Sequence, residues 1–548
     1  MSHNVPTIID KFCQFESAKP NKLFLAEPVK GVYQQFTWQQ AGSEVRRMAA
    51  VLQNMGLGKN DKVAILSKNC AHWIMADLAI AMAGCISVPL YPNVTPEALR
   101  EIIDHSESKA IFIGKLDNPD ELRKGVPDHL TRITFPFYPN KDCLNWNDLI
   151  VGVNGISGIP ETDPMSLSCI VYTSGTTGQP KGVMHSFHAM GFAVDAFLQS
   201  YPDIKEEIFF SYLPLCHVAE RMLVECGTIF TGSTVYFVES MDTFGKNLAD
   251  TKPTVFLAVP RIWEKIQEGI LKKMPQKKLN TLLSIPVVSS LIKRTILKKL
   301  GLGNAKFVFT GASPISPALL KWYARLGLVI QEAYGMTENV ALSHSNRKGA
   351  VRFGTVGQPY NGVDVRLGKD NEVQVKSPAS MSGYYKEPAL TAECFEDGYL
   401  RTGDEGSIDA DGYLTITGRI KDQFKTSKGK YIMPAMIESK ILQSPLIAQV
   451  CVVGSGMSSA IGLCNLSEAA KKQSSETISG ELKGVLSAVN KALEQHEHLS
   501  KLVVLPEEWT IANGLLTPTL KIKRKMVDAA FSDQYESWIK MHEPIVFV

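Results

Sequence analysis

The chain has 548 residues, 45% of them hydrophobic and 21% charged, with 41 Gly and 29 Pro; one core rarely organises so much chain, so at least two domains are expected, and disorder and fibrous classes are excluded. A net charge of +3 on 58 basic and 55 acidic residues creates no whole-molecule field, so no nucleic-acid partner is expected. The ten cysteines include no CxxC pair and no zinc-like spacing with His, which predicts a reduced, cytoplasmic setting.

In chain order, residues 1–15 lack the basic start, apolar run and cleavage site of a secretory signal, and export is not expected. A helical stretch at 38–55 alternates with short apolar runs at 63–66 and 254–259, predicting a layered α/β domain. The most apolar long stretch, 73–91, contains Asp77, Gly84 and Pro89 and is predicted to be a buried helix and strand. From Leu271 to Asn304 there are eight basic residues (Lys272, Lys273, Lys277, Lys278, Lys293, Arg294, Lys298, Lys299) and no acidic one, interleaved with LLSIPVVSSLI. Two interpretations stand for that segment: contact with an anionic membrane at its inner face, or a solvated surface excursion. From about residue 371, short alternating runs broken by Gly and Asp predict hairpins that close the large domain as a distorted, barrel-like subdomain. After Arg419 a charged stretch, a helix from Pro434, a strand at 448–453 and a helix at 479–495 predict a small α+β domain, giving domains of 1–420 and 421–548.

Residues 171–185, VYTSGTTGQPKGVMH, set an apolar strand before a loop holding Thr173, Ser174, Gly175, Thr176, Thr177, Gly178, Lys181 and Gly182. Glycines let backbone N–H groups converge on anionic oxygens, hydroxyls add donors and one lysine adds a mobile charge, so the loop suits polyphosphate. It is not a Walker loop, because Pro180 and Gly182 stand where that pattern needs Gly and a hydroxyl. A plain Ser/Thr/Gly linker is the alternative, and a lysine placed this way after a buried strand speaks against it.

This segment resembles the phosphate-binding signature of the adenylate-forming superfamily of acyl-CoA synthetases, adenylation domains and luciferases. Matches continue in the family's order: PLYPN (89–93), YLPLCHVAER (212–221), VPRIWEKI (259–266), GASPIS (311–316), QEAYGMTE (331–338), YLRTGDEG (399–406), GRIKDQFKTSKGKY (418–431) and NGLLTPTLK (513–521). Four of them are most similar to the long-chain fatty acyl-CoA synthetase branch. The resemblance implies ATP, Mg2+ and coenzyme A as partners of a fatty acid substrate, a large layered α/β domain and a small mobile C-terminal one.

By the same resemblance, Thr173 and Glu338 are associated with the metal. Tyr334 packs on adenine within the segment Glu332, Ala333, Tyr334, Gly335, Met336 and Thr337, and Gly311 with Ala312 lines the base's other face. Asp404 accepts from ribose hydroxyls, a task suited to an acceptor-only group, with Arg419 beside it. Lys521, in a tail where four basic residues occupy 521–525, contacts the carboxylate and the α-phosphate. Many relatives carry Gly before this lysine where this chain has Leu520, so Lys523 stands as the alternative to Lys521. His217 gates the acyl pocket and thiol tunnel, and Lys421 is the hinge about which the tail domain turns. Each has a plainer alternative: core packing for Tyr334, a turn residue for Asp404, a surface ion pair for Arg419, a solvated charge run around Lys521. The expected activity is fatty acid–CoA ligation through an acyl-adenylate. Ligation to an acyl carrier protein, another carboxylic acid substrate, or a catalytically silent lipid- or nucleotide-binding protein remain as alternatives, and an oligomer is compatible with the sequence.

Overall fold

A computed structural model describes residues 5–174, 180–468, 470–517 and 521–548. Two large sheets organise the first four hundred residues. One has eight strands in the order Gly383–Tyr384, Pro180–Ser186, Leu167–Ser174, Ile86–Leu90, Lys62–Leu66, Ser108–Ile113, Thr131–Thr134, Leu144–Asn145. Its centre is parallel, and the Leu167–Ser174, Pro180–Ser186 and Gly383–Tyr384 ladders are antiparallel. The other has nine strands, parallel from Gln331–Tyr334 through Phe307–Thr310, Val255–Leu257, Ile208–Ser211 and Thr234–Phe237 to Leu23–Val29, with antiparallel strands at both edges.

Helix Ala71–Met82 packs against strands of both sheets, and all twelve of its residues are buried. Its sequence, AHWIMADLAIAM, is apolar all round, the pattern of a core helix. Helix Trp38–Asn54 covers it, started by a capping box in which Thr37 and Gln40 satisfy each other's backbone N–H.

A third sheet is open and wholly antiparallel and occupies the predicted barrel-like region. It comprises Asp364–Leu367, Glu372–Lys376, Tyr399–Ile408 and Phe395–Glu396, with Leu414–Arg419 also paired to Tyr399–Ile408. The last hundred residues carry a four-stranded sheet, Ile447–Val453, Ala460–Leu466, Leu499–Val504 and Ile545–Phe547, with one apolar cluster on each face.

Three elements differ from expectation. The apolar run 328–330 reads in sequence as a strand leading into YGMTE, but the strand forms at Gln331–Tyr334, because its ladder partners, Phe309 and Thr310 on one side and Ser345 and His344 on the other, face that later segment. The helix foreseen at 479–495 spans Ser475–Lys491, since the Ser474 hydroxyl accepts from the Thr477 N–H and starts it earlier. The charged stretch after Arg419 folds into a hairpin of Phe424–Lys425 and Tyr431–Ile432.

Candidate active site

The three sheets meet at one place, and each contributes side chains there. From the eight-stranded sheet, Thr173 and Lys181 are direct ladder partners, so their side chains share one face at the mouth of the 175–179 loop. Gly175, Thr176, Thr177 and Gly178 lie outside the described residues, as does the side chain of Ser174. From the nine-stranded sheet, Gln331–Tyr334 runs out into the short 3₁₀ turn Thr337–Asn339, which carries Glu338. Tyr384, in the edge strand of the eight-stranded sheet, donates its hydroxyl to Glu338 Oε1 at 2.7 Å, and Lys181 Nζ stands 5.6 Å from the Tyr384 ring. A small apolar cluster of Val183, Met381, Tyr384 and Leu400, with Met336 against it, ties the three sheets together beneath these groups.

The turn after Tyr334 is tightly specified. A Cβ on Gly335 would lie 2.3 Å from the Ala341 carbonyl carbon, and Val340 and Ala341 adopt φ of 53° and 55° to make that close approach. Gly311 follows the strand Phe307–Thr310 and is equally restricted, since its Cβ would meet the Ala333 carbonyl oxygen at 2.8 Å. Ala312 then turns away at φ 68°. Glu332 is buried, and burial pushes its carboxyl up to about 8, so its side chain is a neutral core acid; its main-chain carbonyl accepts from Asn346 N–H at 2.8 Å.

Asp404 joins the third sheet to this turn. Arg419, its ladder partner, places Nε 2.9 Å from Asp404 Oδ1, and the Tyr334 hydroxyl donates to Oδ2 at 2.7 Å. Asp404 raises the Arg419 pKa against the opposing effect of desolvation.

The tail reaches the same place. Leu516 and Ile522 form an isolated bridge and pack on the small sheet's outer cluster, while Lys521 N–H donates to Thr517 Oγ1 at 3.0 Å. The intervening residues 518–520 lie outside the described residues. Lys521 keeps solvent contact but stands inside the cleft: surrounding protein and the Arg419 charge push its ammonium pKa down, with Asp404 and Glu338 opposing. His217 faces it from the loop after Ile208–Ser211. Its Nδ1 accepts from Ala219 N–H at 3.3 Å, which leaves the proton on Nε2, and burial assisted by the Lys521 charge pushes its pKa down to about 4. A neutral imidazole is therefore presented to the cleft. Lys421 lies in the 3₁₀ turn Ile420–Asp422, next to Arg419.

Sequence reasoning missed the groups that hold the His217 loop. Asn69 donates to Ser211 Oγ at 2.7 Å and to the Leu213 carbonyl at 2.6 Å, and accepts from Leu215 N–H at 3.1 Å. Glu220 accepts from Ser211 Oγ at 2.9 Å and Tyr212 N–H at 3.1 Å. It is buried, and burial pushes its carboxyl up to about 8. Its proton is thus retained in the folded protein and lost in the unfolded one between the ordinary carboxylate range and about 8, so its contribution to stability falls as pH rises through that window. Glu220→Gln, which keeps a neutral acceptor, is expected to melt with wild type at acidic pH and above it at alkaline pH. Glu220→Ala is expected to melt below wild type at both, and thermal melts across pH check this.

The chain as a whole is similar to known proteins. The AMP-binding enzyme family profile matches residues 14–385 and that of the AMP-binding enzyme C-terminal domain residues 421–542. A long-chain-fatty-acid–CoA ligase of Mycobacterium bovis is 28% identical over 96% of this chain and 95% of its own length. The peroxisomal long chain acyl-CoA synthetase 7 of Arabidopsis thaliana is 28% identical over 96% of this chain and 86% of its own. Among solved structures, the A-PCP didomain of carboxylic acid reductase from Segniliparus rugosus in complex with AMP superposes with a TM-score of 0.83 at 21% identity, covering 98% of this chain and 83% of that one. The chain belongs to the AMP-binding enzyme family of the adenylate-forming superfamily, and is an AMP-forming acid–thiol ligase close to the long-chain acyl-CoA synthetases.

Proposed function

We propose that the acid is a fatty acid of the long-chain class and the acceptor thiol that of coenzyme A. One observation carries the division of labour: a tail lysine, Lys521, whose N–H is bonded to Thr517 on the tail segment, lies within electrostatic range of Arg419, Asp404 and Glu338, which the large sheets carry. A carboxylate is a poor acyl donor because oxide would have to leave. Its oxygen attacks the α-phosphorus of ATP in line, and pyrophosphate leaves as acyl-AMP forms. Lys521 bridges nucleophile and α-phosphate, while Thr173, Lys181 and the 174–178 segment hold the β- and γ-phosphates. Tyr334 packs on adenine against Gly311 and Ala312, and Asp404 with Arg419 takes the ribose.

Among the described residues no cluster of three or more His, Cys, Asp or Glu side chains could hold a metal ion. Mg2+ usually relies on one or two carboxylates plus substrate phosphates, and the Glu338 carboxylate with the Thr173 hydroxyl fits that demand. When bound, the ion neutralises triphosphate charge.

For the second half-reaction the coenzyme A thiol attacks the acyl carbon and AMP leaves. Residues 421–548 act as a mobile domain that turns about Lys421, withdraws Lys521 and brings the 426–431 hairpin to the thiol channel. His217, neutral and a hydrogen-bond donor, gates that channel rather than moving protons. The ten cysteines are free thiols and suit a reducing cytoplasm.

The test is thioester formation across saturated acids from short to very long, with coenzyme A and with acyl carrier protein as acceptors. Fastest turnover is expected for long chains with coenzyme A, with one AMP formed per thioester. Preference for an aryl or short acid, or for the carrier protein, would overturn the substrate assignment, and absence of acid-dependent AMP formation would leave the silent-binder alternative.

A further inference from the structure

The segment from Leu271 to Asn304 folds as a helical hairpin, Gln276–Ser284 and Pro286–Leu300, standing on the end of helix Pro260–Lys273. Its inner side is anchored. Leu279 is buried, Leu283, Ile292, Ile296 and Leu297 pack on the cluster around Trp263 and Tyr323, and Gln276 Oε1 accepts from Trp322 Nε1 at 2.9 Å. Its outer side is built differently. At the tip three large apolar side chains face solvent: Ile285 at 47%, Val287 at 83% and Leu291 at 66% exposure.

Val287, Leu291, Arg294 and Lys298 follow the i, i+4, i+7, i+11 spacing and form one exposed stripe, apolar at the tip and basic toward the base. Lys277 and Lys278 are exposed on the other arm. Elsewhere the protein pairs its charges freely, yet none of the eight basic side chains of this segment makes an ion pair among the described residues. A solvated surface would explain the lysines. It would not explain three uncovered aliphatic side chains gathered at the one point those lysines flank, because apolar groups cluster on a surface where something covers them.

We infer that this hairpin is a docking surface for an anionic lipid bilayer. Val287, Leu291 and Ile285 enter the headgroup boundary, while Arg294, Lys298 and the lysines of the shorter arm stay at phosphate level, their stems lying along the apolar layer. Among the described residues no helix is long and apolar enough to cross a membrane, so the contact is with one leaflet. An acidic protein groove would need the same charge but would gain little from an aliphatic tip. A nucleic acid would gain nothing from it.

The full chain should be floated with vesicles of phosphatidylcholine alone and of phosphatidylcholine doped with phosphatidylglycerol. Wild type should partition at least about tenfold more onto the anionic vesicles, and added salt should release it. The doubles Val287→Asp/Leu291→Asp and Arg294→Glu/Lys298→Glu should each lose that excess while melting with wild type and keeping pyrophosphate release with a water-soluble acid. No excess on anionic vesicles, or unchanged binding by both doubles, would overturn the inference. So would a change in oligomeric state of the doubles without vesicles, which would mark a self-association surface instead. The inference does not rest on the assigned substrate: vesicle binding without ligase activity would sink only the functional proposal, and ligase activity without vesicle binding only this one.

Discussion

Lys521→Ala should slow acid-dependent pyrophosphate release by about 10²–10³-fold, the range seen when one preorganised donor is removed from a developing charge. Conversion of supplied acyl-AMP and coenzyme A to thioester should stay within a few-fold of wild type. The split follows from where Lys521 is carried. It arrives on a tail segment that Leu516 and Ile522 pin to the small sheet, not to the large sheets that hold Thr173, Glu338 and Asp404. Turning the small domain as proposed would therefore take this one charge away and leave Thr173, Glu338 and Asp404 in place. Lys523→Ala is the control. Lys523 stands just before helix Arg524–Phe531 with no side-chain bond to it, and its main-chain N–H donates to the Leu515 carbonyl at 2.9 Å, so its replacement should leave both half-reactions near wild type. A second readout uses the free enzyme. Since the surrounding protein and the Arg419 charge push the Lys521 ammonium pKa down, an amine-acylating reagent should modify Lys521 ahead of the other lysines, and ATP should protect it. Equal losses in both half-reactions, or none in the first, would end the assignment.

Local signals made part of this site legible. The strand and loop around 175 show in sequence because an apolar run leads directly into a glycine- and hydroxyl-rich break; the return strand Pro180–Ser186, which pairs Lys181 with Thr173, carries no such signal in PKGVMHS. The juxtaposition of Asp404 and Arg419 is similarly local, a single hairpin register. Tyr384 could not be read this way. It reaches Glu338 across 46 residues and between two sheets, and nothing in SGYYKEP distinguishes its hydroxyl from that of Tyr385, which instead donates to Glu107 at 2.9 Å. Asn69 is another such case, since it meets the His217 loop across more than 140 residues. Its role arises only when the loop after strand Lys62–Leu66 of one sheet meets the end of Ile208–Ser211 in the other.

Asp77 poses the same question with a larger energy attached. In AHWIMADLAIAM it is the only charge on a helix with no solvent face, a pattern that predicts a buried partner without naming it. The partner is Arg221, whose guanidinium lies 2.6 Å from Asp77 Oδ2 and over the Trp73 ring at 5.7 Å. Arg221 opens the π-helical turn Arg221–Cys226 directly after Glu220, where the wider turn is flanked by the helical pieces Val218–Glu220 and Gly227–Thr231. A third charge-bearing group, Glu225, sits 3.6 Å from Arg221 Nε, and burial with repulsion from Asp77 pushes its carboxyl pKa well up. One carboxylate and one neutral acid thus face a single cation. Asp77→Ala should cost about 3–5 kcal/mol, the penalty of stranding a buried charge. Glu225 then becomes the nearest counter-ion and loses its repeller, so its pKa falls in the variant and its ionisation offsets part of the loss once pH exceeds the new value. The deficit against wild type should therefore be larger at mildly acidic than at mildly alkaline pH, and Asp77→Ala/Glu225→Ala should remove that difference. Replacing the pair together, Asp77→Leu with Arg221→Met, should recover most of the stability, because an apolar pair of similar volume carries no desolvation penalty. Urea unfolding followed by tryptophan fluorescence, which Trp73 reports from inside the cluster, distinguishes these outcomes; a loss independent of pH, or no recovery in the apolar double, would mean that the ion pair is not what holds the turn.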